Sequence, residues 1–293
     1  MKKVGILPNI TKDKDMKLTK EIINWIEKNN GQALLNEIDG KRLDRCDLAY
    51  KNHEMYQKAD FIIVLGGDGT LLGVSRRIGK FSTPIFGVNL GRQGFLTEVE
   101  INGLYPALEN IMAGKYTIEK RMMLEAVVMN NNVPRDTFFA LNDVVIAKGA
   151  FARIVRLKTY VDDKYLDTFP ADGLIVSSPT GSTAYSLSAG GPIVNPQNDL
   201  LIVTPISPYT LHARSIIVSE KEKIHIEVEG DNNEIILTMD GQEGYILEKG
   251  DSILVGKADF YANFIRLNNR TFYDVLRNKL AERSTINNNQ DYL

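Results

Sequence analysis

Phe61-Ile62-Ile63-Val64-Leu65-Gly66-Gly67-Asp68-Gly69-Thr70 is the stretch that decides the fold. Five apolar residues in a row mark a strand buried on both faces, the habit of a central parallel strand. The glycines end that strand, and residues 70–78 read as a helix stopped by Gly79. Ligands of such sheets sit at the carboxyl ends of the strands, where glycine lets the backbone turn tightly and approach a ligand closely. The N–H groups of Gly66, Gly67 and Gly69 can point at a phosphate, and Thr70 can cap the helix behind them. Asp68 is the odd member. A carboxylate repels a phosphate, so it belongs here if it takes a proton from a hydroxyl or meets a metal. The plain alternative is a Gly-rich turn whose Asp satisfies the loop's own amides. No Gly-Lys-Ser/Thr follows, so this is not a Walker A loop, and it does not fit G-x-G-x-x-G.

Outward from this element, residues 4–7 and 84–88 read as short strands. Residues 15–30 read as a helix, with Leu18, Ile22, Trp25 and Ile26 at helical spacing and Gly31 as its stop. Leu104, Ala107, Leu108, Ile111 and Met112 make another helical face, ended by Gly114. Strands alternating with helices predict βαβ units and a parallel sheet over residues 1–115.

Beyond Lys115 the pattern changes. Residues 125–129, 143–147, 154–161, 164–168, 224–228, 234–239, 245–247 and 252–255 read as strands. Their joints include Asp162-Asp163, Gly230-Asp231-Asn232-Asn233, Asp240-Gly241 and Gly250-Asp251. This spacing predicts an antiparallel β-sandwich over residues 116–270. Residues 271–282 are helical again and are expected to return to the first domain, so that 271–293 belongs with 1–115.

The 293 residues suit two domains, and the formal net charge of −2 argues against a nucleic-acid binder working through bulk positive charge. No stretch approaches the length of a membrane span. Cys46 is the only cysteine, which leaves no intramolecular disulfide or Cys-based metal site and fits a reducing cytoplasm. His53, His212 and His225 are scattered, with no two at metal-ligand spacing. Lys12-Asp13-Lys14-Asp15 reads as a solvated loop and helix start.

Two further constellations carry chemistry. Residues 172–191 run from an apolar strand into Ser177-Ser178-Pro179-Thr180-Gly181-Ser182-Thr183-Ala184-Tyr185-Ser186-Leu187-Ser188 and two glycines. Many short donors and acceptors beside one aromatic plate suit a nucleoside. A short helix from Thr183 would put Tyr185 and Ser188 on one face. Without a ligand this is an extended Ser/Thr/Gly loop. Leu141-Asn142-Asp143 sets an amide beside a carboxylate, the equipment to read a ribose diol or a base edge, although an Asx pair before a strand is also a common turn.

With these residues in view, the chain resembles the NAD kinase family over nearly its whole length. The resemblance rests on Gly66-Gly67-Asp68-Gly69-Thr70, on Asn89-Leu90-Gly91-Arg92-Gln93-Gly94-Phe95-Leu96, on Leu141-Asn142-Asp143, on Asp172-Gly173-Leu174 with residues 179–192, and on Asp240-Gly241-Gln242. It implies a two-domain kinase that makes NADP from NAD at the adenosine ribose 2′-hydroxyl. ATP or polyphosphate would be the donor, with Mg²⁺ or another divalent cation, in a homodimer or homotetramer. Asp68 would be the base, lining the NAD site with Gly69. Asn142 and Asp143 would hold the adenosine portion. Thr183, Ala184, Tyr185, Ser186, Leu187 and Ser188 would wrap the dinucleotide. Asp172 would address the nicotinamide end, and Arg153 and Gln242 fall at NAD-contacting positions. The family usually has Glu where this chain has Asp143. Pro170 replaces a side chain that helps set NAD against NADH preference in relatives. The Gly-Gly-Asp-Gly-Thr loop alone also occurs in lipid and sugar kinases, and a nucleotide sensor could keep the same fold without activity.

Overall fold

The computed structural model describes residues 1–91, 94–149, 154–229, 235–267 and 271–288. The chain forms two compact units. One comprises Met1–Val74, Thr83–Glu119 and Asn263–Leu293, the other Ser75–Ser82 and Lys120–Ala262.

In the first unit the strands are β1 (Lys3–Pro8), β2 (Gln32–Asn36), β3 (Ala49–Tyr50), β4 (Phe61–Gly66), β5 (Ile85–Asn89) and β6 (Val99–Glu100). They lie in the order β3-β2-β1-β4-β5-β6, and every one of these pairings is parallel. The chain goes from β1 outward through β2 and β3, then returns to β1's other side with β4. The order therefore reverses between β1 and β4, which makes the crevice at their carboxyl ends the switch point of the sheet. All six residues of β4 are buried. The helices are α1 (Lys17–Lys28), α2 (Glu37–Arg42), α3 (Asn52–Lys58), α4 (Asp68–Ile78, its last turn grouped with the second unit) and α5 (Leu104–Met112). Ile22, Ile23 and Ile26 of α1 and Leu104, Leu108 and Ile111 of α5 pack with Phe61, Ile63 and Phe86 of the sheet in one core.

In the second unit the strands are β7 (Thr117–Asn130, its start grouped with the first unit), β8 (Val133–Ala140), β9 (Asp143–Lys148), β10 (Val155–Val161), β11 (Lys164–Ala171), β12 (Gly173–Ser177), β13 (Leu200–Ile206), β14 (Ile216–Ser219), β15 (Ile224–Glu229), β16 (Ile235–Met239), β17 (Glu243–Leu247) and β18 (Asp251–Arg266, its end grouped with the first unit). One antiparallel sheet runs β14-β13-β12-β9-β16-β17. The other contains β11-β10-β15-β18, with β7 on β18 and β8 on β7. Residues of both sheets meet in a single core, among them Leu124, Ile146, Leu157, Val176, Ile226 and Val255. The alternation read in β10 holds, with Val155 and Leu157 buried and Arg156 exposed. Asp162-Asp163 closes the β10–β11 hairpin with both residues at positive φ, the pattern of a type I′ turn. A four-residue α6 (Tyr185–Ser188) follows β12, and α7 (Phe272–Asn288) falls in the part of the chain grouped with the first unit.

The expected boundaries move in places. α1 begins two residues later than the apolar spacing predicts, because Asp15 and Met16 stand at positive φ. α4 begins at Asp68, two residues before the predicted start, so Thr70 lies inside its first turn. The strand read at 252–255 is the first part of β18, which runs on to Arg266.

Candidate functional site

In the first unit, the loop after β4 and the chain after β5 meet at Asp68. Its carboxylate accepts the backbone N–H of Phe95 (2.7 Å) and of Leu96 (3.1 Å). Asp68 thus satisfies amides of another loop rather than its own. A methyl group at Gly94 would overlap this carboxylate, so the close approach depends on glycine there. The Thr70 hydroxyl does not act as the cap expected of it. It accepts a hydrogen bond from the Asn9 side-chain amide (3.1 Å), which ties the chain leaving β1 to the start of α4. Asn9 was not singled out in the sequence. Its place, directly after the first strand of a parallel sheet, was the available signal.

In the second unit, residues 141–143 turn around the Asp240 carboxylate. It accepts N–H from Leu141 (3.2 Å), Asn142 (2.7 Å) and Asp143 (3.2 Å). Arg76 donates to it at 2.7 Å and to the Gln242 side-chain carbonyl at 3.0 Å. Neither Arg76 nor Asp240 was assigned a role from sequence, and the Asp-Gly-Gln match was the signal available for the latter. Asp143 is buried, and its carboxyl is pushed up to about 7, first by burial and then by the negative charge of Asp240.

That shift has a consequence for stability. From an ordinary 3.8 to about 7, the folded chain keeps a proton that the unfolded chain has lost. The favourable contribution is therefore complete below about pH 4 and is lost as pH rises to about 7. Asp143→Asn, which mimics the protonated acid, is expected to be more stable than wild type at pH 8 by roughly 2–4 kcal/mol. The gap should close toward pH 4. Urea unfolding at several pH values checks this, and a gap independent of pH would refute it.

Most hydroxyls of residues 177–188 are used internally. Ser178 Oγ donates to the Leu141 carbonyl, and Ser182 Oγ donates to Pro179 and accepts from the Val194 N–H. Thr183 Oγ1 donates to the Thr180 carbonyl, while Ser186 Oγ is buried against Thr204. Gly181 packs on the Asn142 carbonyl so closely that no Cβ fits. This is a tightly folded element rather than an extended loop, and it joins residues 141–143 to residues 178–181. Tyr185 and Ser188 are the exposed residues of α6, on the shared face expected of them, with Ala184 and Leu187 half-buried. Asp172 pairs with Lys148 at 2.8 Å and remains partly exposed. Arg153 lies outside the described residues.

Family models match both halves of the chain: the ATP-NAD kinase N-terminal domain over residues 4–116 and the ATP-NAD kinase C-terminal domain over residues 141–267. The chain belongs to the NAD kinase family. The NAD kinase of Caldanaerobacter subterraneus subsp. tengcongensis is 51% identical over 283 residues, 97% of this chain and 100% of that protein. The NAD kinase of Moorella thermoacetica is 46% identical over 282 residues, 96% of this chain and 90% of that one. An NAD kinase from Archaeoglobus fulgidus, solved in complex with ATP, superposes with a TM-score of 0.75 at 25% identity, covering 95% of this chain and 98% of that one. Yeast NADH kinase, solved with NADH, shares the fold at a TM-score of 0.84 and 24% identity, covering 94% of this chain and 86% of that one. As an NAD kinase the chain is an enzyme that transfers a phosphoryl group from ATP to NAD. The lipid-kinase, sugar-kinase and sensor readings of its glycine loop are not favoured. No helix among the described residues is long and apolar enough to cross a membrane.

Proposed function

We propose that the acceptor is the 2′-hydroxyl of the adenosine ribose and that Asp68 orients it and takes its proton. The observation that carries this is the pair of N–H bonds from Phe95 and Leu96. They fix the carboxylate and use two of its four lone-pair sites, leaving capacity for a hydroxyl. Phosphoryl transfer asks mainly for positioning and charge stabilisation, so the proton can move late. Gly66, Gly67, Gly69 and Thr70 border the donor's phosphates. Asn142 and Asp143 hold the adenosine portion, and Thr183, Ala184, Tyr185, Ser186, Leu187 and Ser188 wrap the dinucleotide. Within that set Tyr185 and Ser188 supply the exposed contacts, and the buried Thr183 and Ser186 hold the backbone that presents them. Asp172, Arg153 and Gln242 complete the dinucleotide contacts.

A divalent cation fits these residues in one way. Among the described residues no group of three or more His, Cys, Asp or Glu could hold a metal alone. Mg²⁺ is commonly bound by one or two carboxylates together with substrate phosphates and waters. Asp68 is the carboxylate in the glycine loop, and the donor's own phosphates would supply the rest. When bound, the cation would offset charge on the phosphates. The resemblance carries the proposals of a cytoplasmic setting, a homodimeric or homotetrameric assembly, and polyphosphate as a second donor.

A coupled assay with an NADP-specific dehydrogenase tests the reading. NADP is expected from NAD with ATP and Mg²⁺, and parallel runs with polyphosphate and with NADH fix donor and acceptor. Phosphorylation at any hydroxyl other than the adenosine 2′ position, or no NADP under any donor and metal, would overturn it.

A further inference from the structure

The loop that leaves β1 lies on the switch-point crevice, and hydrogen bonds hold it there. The Asn9 N–H donates to the Leu65 carbonyl at the end of β4, and the N–H groups of Lys12 and Asp13 fold back onto the Asn9 carbonyl. The Asn9 side chain accepts from the Thr11 N–H and hydroxyl while donating to Thr70. The position of Lys12 is therefore set by β4 and α4. Its ammonium reaches over both neighbouring loops. Nζ stands 3.4 Å from where a Cβ on Gly67 would lie and 3.5 Å from the same point on Gly91. Among the described residues, apart from each glycine and its chain neighbours, only the ammonium lies within 4 Å of either point.

The charge on Lys12 has no partner among the described residues. The adjacent carboxylate, Asp13, is buried and turned away. It accepts the N–H groups of Leu18 and Thr19 and the Thr19 hydroxyl at the start of α1. An exposed ammonium, unpaired among the described residues and carried by a loop fixed at the carboxyl ends of parallel strands, has the chemistry of an anion receptor. It also answers the difficulty posed by Asp68. A phosphate chain brought toward a fixed carboxylate meets repulsion, and a cation in the same crevice offsets it.

We propose that Lys12 binds the phosphate chain of the phosphoryl donor, between the loops containing Gly67 and Gly91. This deepens the function proposed above and rests on it: Lys12 serves the donor, not the dinucleotide.

Lys12→Met and Lys12→Arg test this with steady-state kinetics, and calorimetric titration of tripolyphosphate adds a probe with the phosphate chain and no nucleoside. Lys12→Met should raise KM for ATP by about 10–100-fold, the usual weight of a charge-assisted hydrogen bond. KM for NAD should stay within about twofold, and tripolyphosphate should bind more weakly by a factor similar to that for ATP. Lys12→Arg keeps the charge and should recover most of the loss. Circular dichroism melting should match wild type, because the side chain is exposed and unpaired. An unchanged KM for ATP in Lys12→Met, or a loss confined to NAD, overturns the inference. A wild-type enzyme that fails to make NADP overturns the proposed function instead, so the two failures are distinct.

Discussion

Asp68→Asn should lower kcat for NADP formation by about 10²–10⁴-fold, the range for a positioned base. KM for NAD should change by no more than a few-fold. The carboxylate meets Phe95 N–H through one oxygen and Leu96 N–H through the other. Asparagine keeps the size and one acceptor. One of the two N–H groups then faces an amide nitrogen, which loosens the loop after β5 by about 1–3 kcal/mol. That loss alone accounts for a lowered melting temperature, not for a rate loss of several orders of magnitude. Measuring kcat, KM for NAD and the melting curve on one sample separates the two effects. Turnover within tenfold of wild type, in a folded protein, would remove Asp68 from the chemistry.

The elements that were legible in the sequence are those whose burial pattern is local. β4 shows as an unbroken apolar run and β10 as strict alternation, and the Asp162-Asp163 turn announces itself by residue type. β8 was missed because it is largely exposed over Val133–Thr137, so no hydrophobic period marks it. The extent of β18 was missed because Gly256 interrupts the apolar reading, although the strand continues for ten residues beyond it. The start of α1 depends on two residues at positive φ, which nothing in the local pattern requires. Among the candidate site residues, the glycine loop and the Asn142-Asp143 pair were legible as residue types. Their partners were not. Phe95 and Leu96 act through backbone N–H, which any residue carries, and Asp240 lies nearly a hundred positions from the turn it organises. Ser186 shows the converse error of reading composition as exposure: a hydroxyl in a polar run is directed inward to Thr204.

Arg76→Met should destabilise the second unit by about 3–5 kcal/mol, the cost of leaving a buried carboxylate without its cation. The Asp240 side chain is fully buried and that of Arg76 only 12% exposed, so water cannot replace the guanidinium. Three backbone N–H bonds remain to Asp240, which puts the expected loss toward the lower end of that range. Asp240→Asn removes the charge but keeps an acceptor for the turn at residues 141–143. The double variant Arg76→Met/Asp240→Asn should then be more stable than Arg76→Met alone, because its buried group is neutral and hydrogen-bonded. The same substitution tests the origin of the Asp143 shift. Asp240 is the second cause of that raised value, after burial, so Asp240→Asn should lower the Asp143 pKa without returning it to the ordinary range. Urea unfolding of the three variants and a carboxyl titration by NMR supply both readings. Should Arg76→Met cost less than about 1 kcal/mol, the pair would rank with exposed salt bridges, and the turn at Asn142 would owe its shape to the N–H bonds alone.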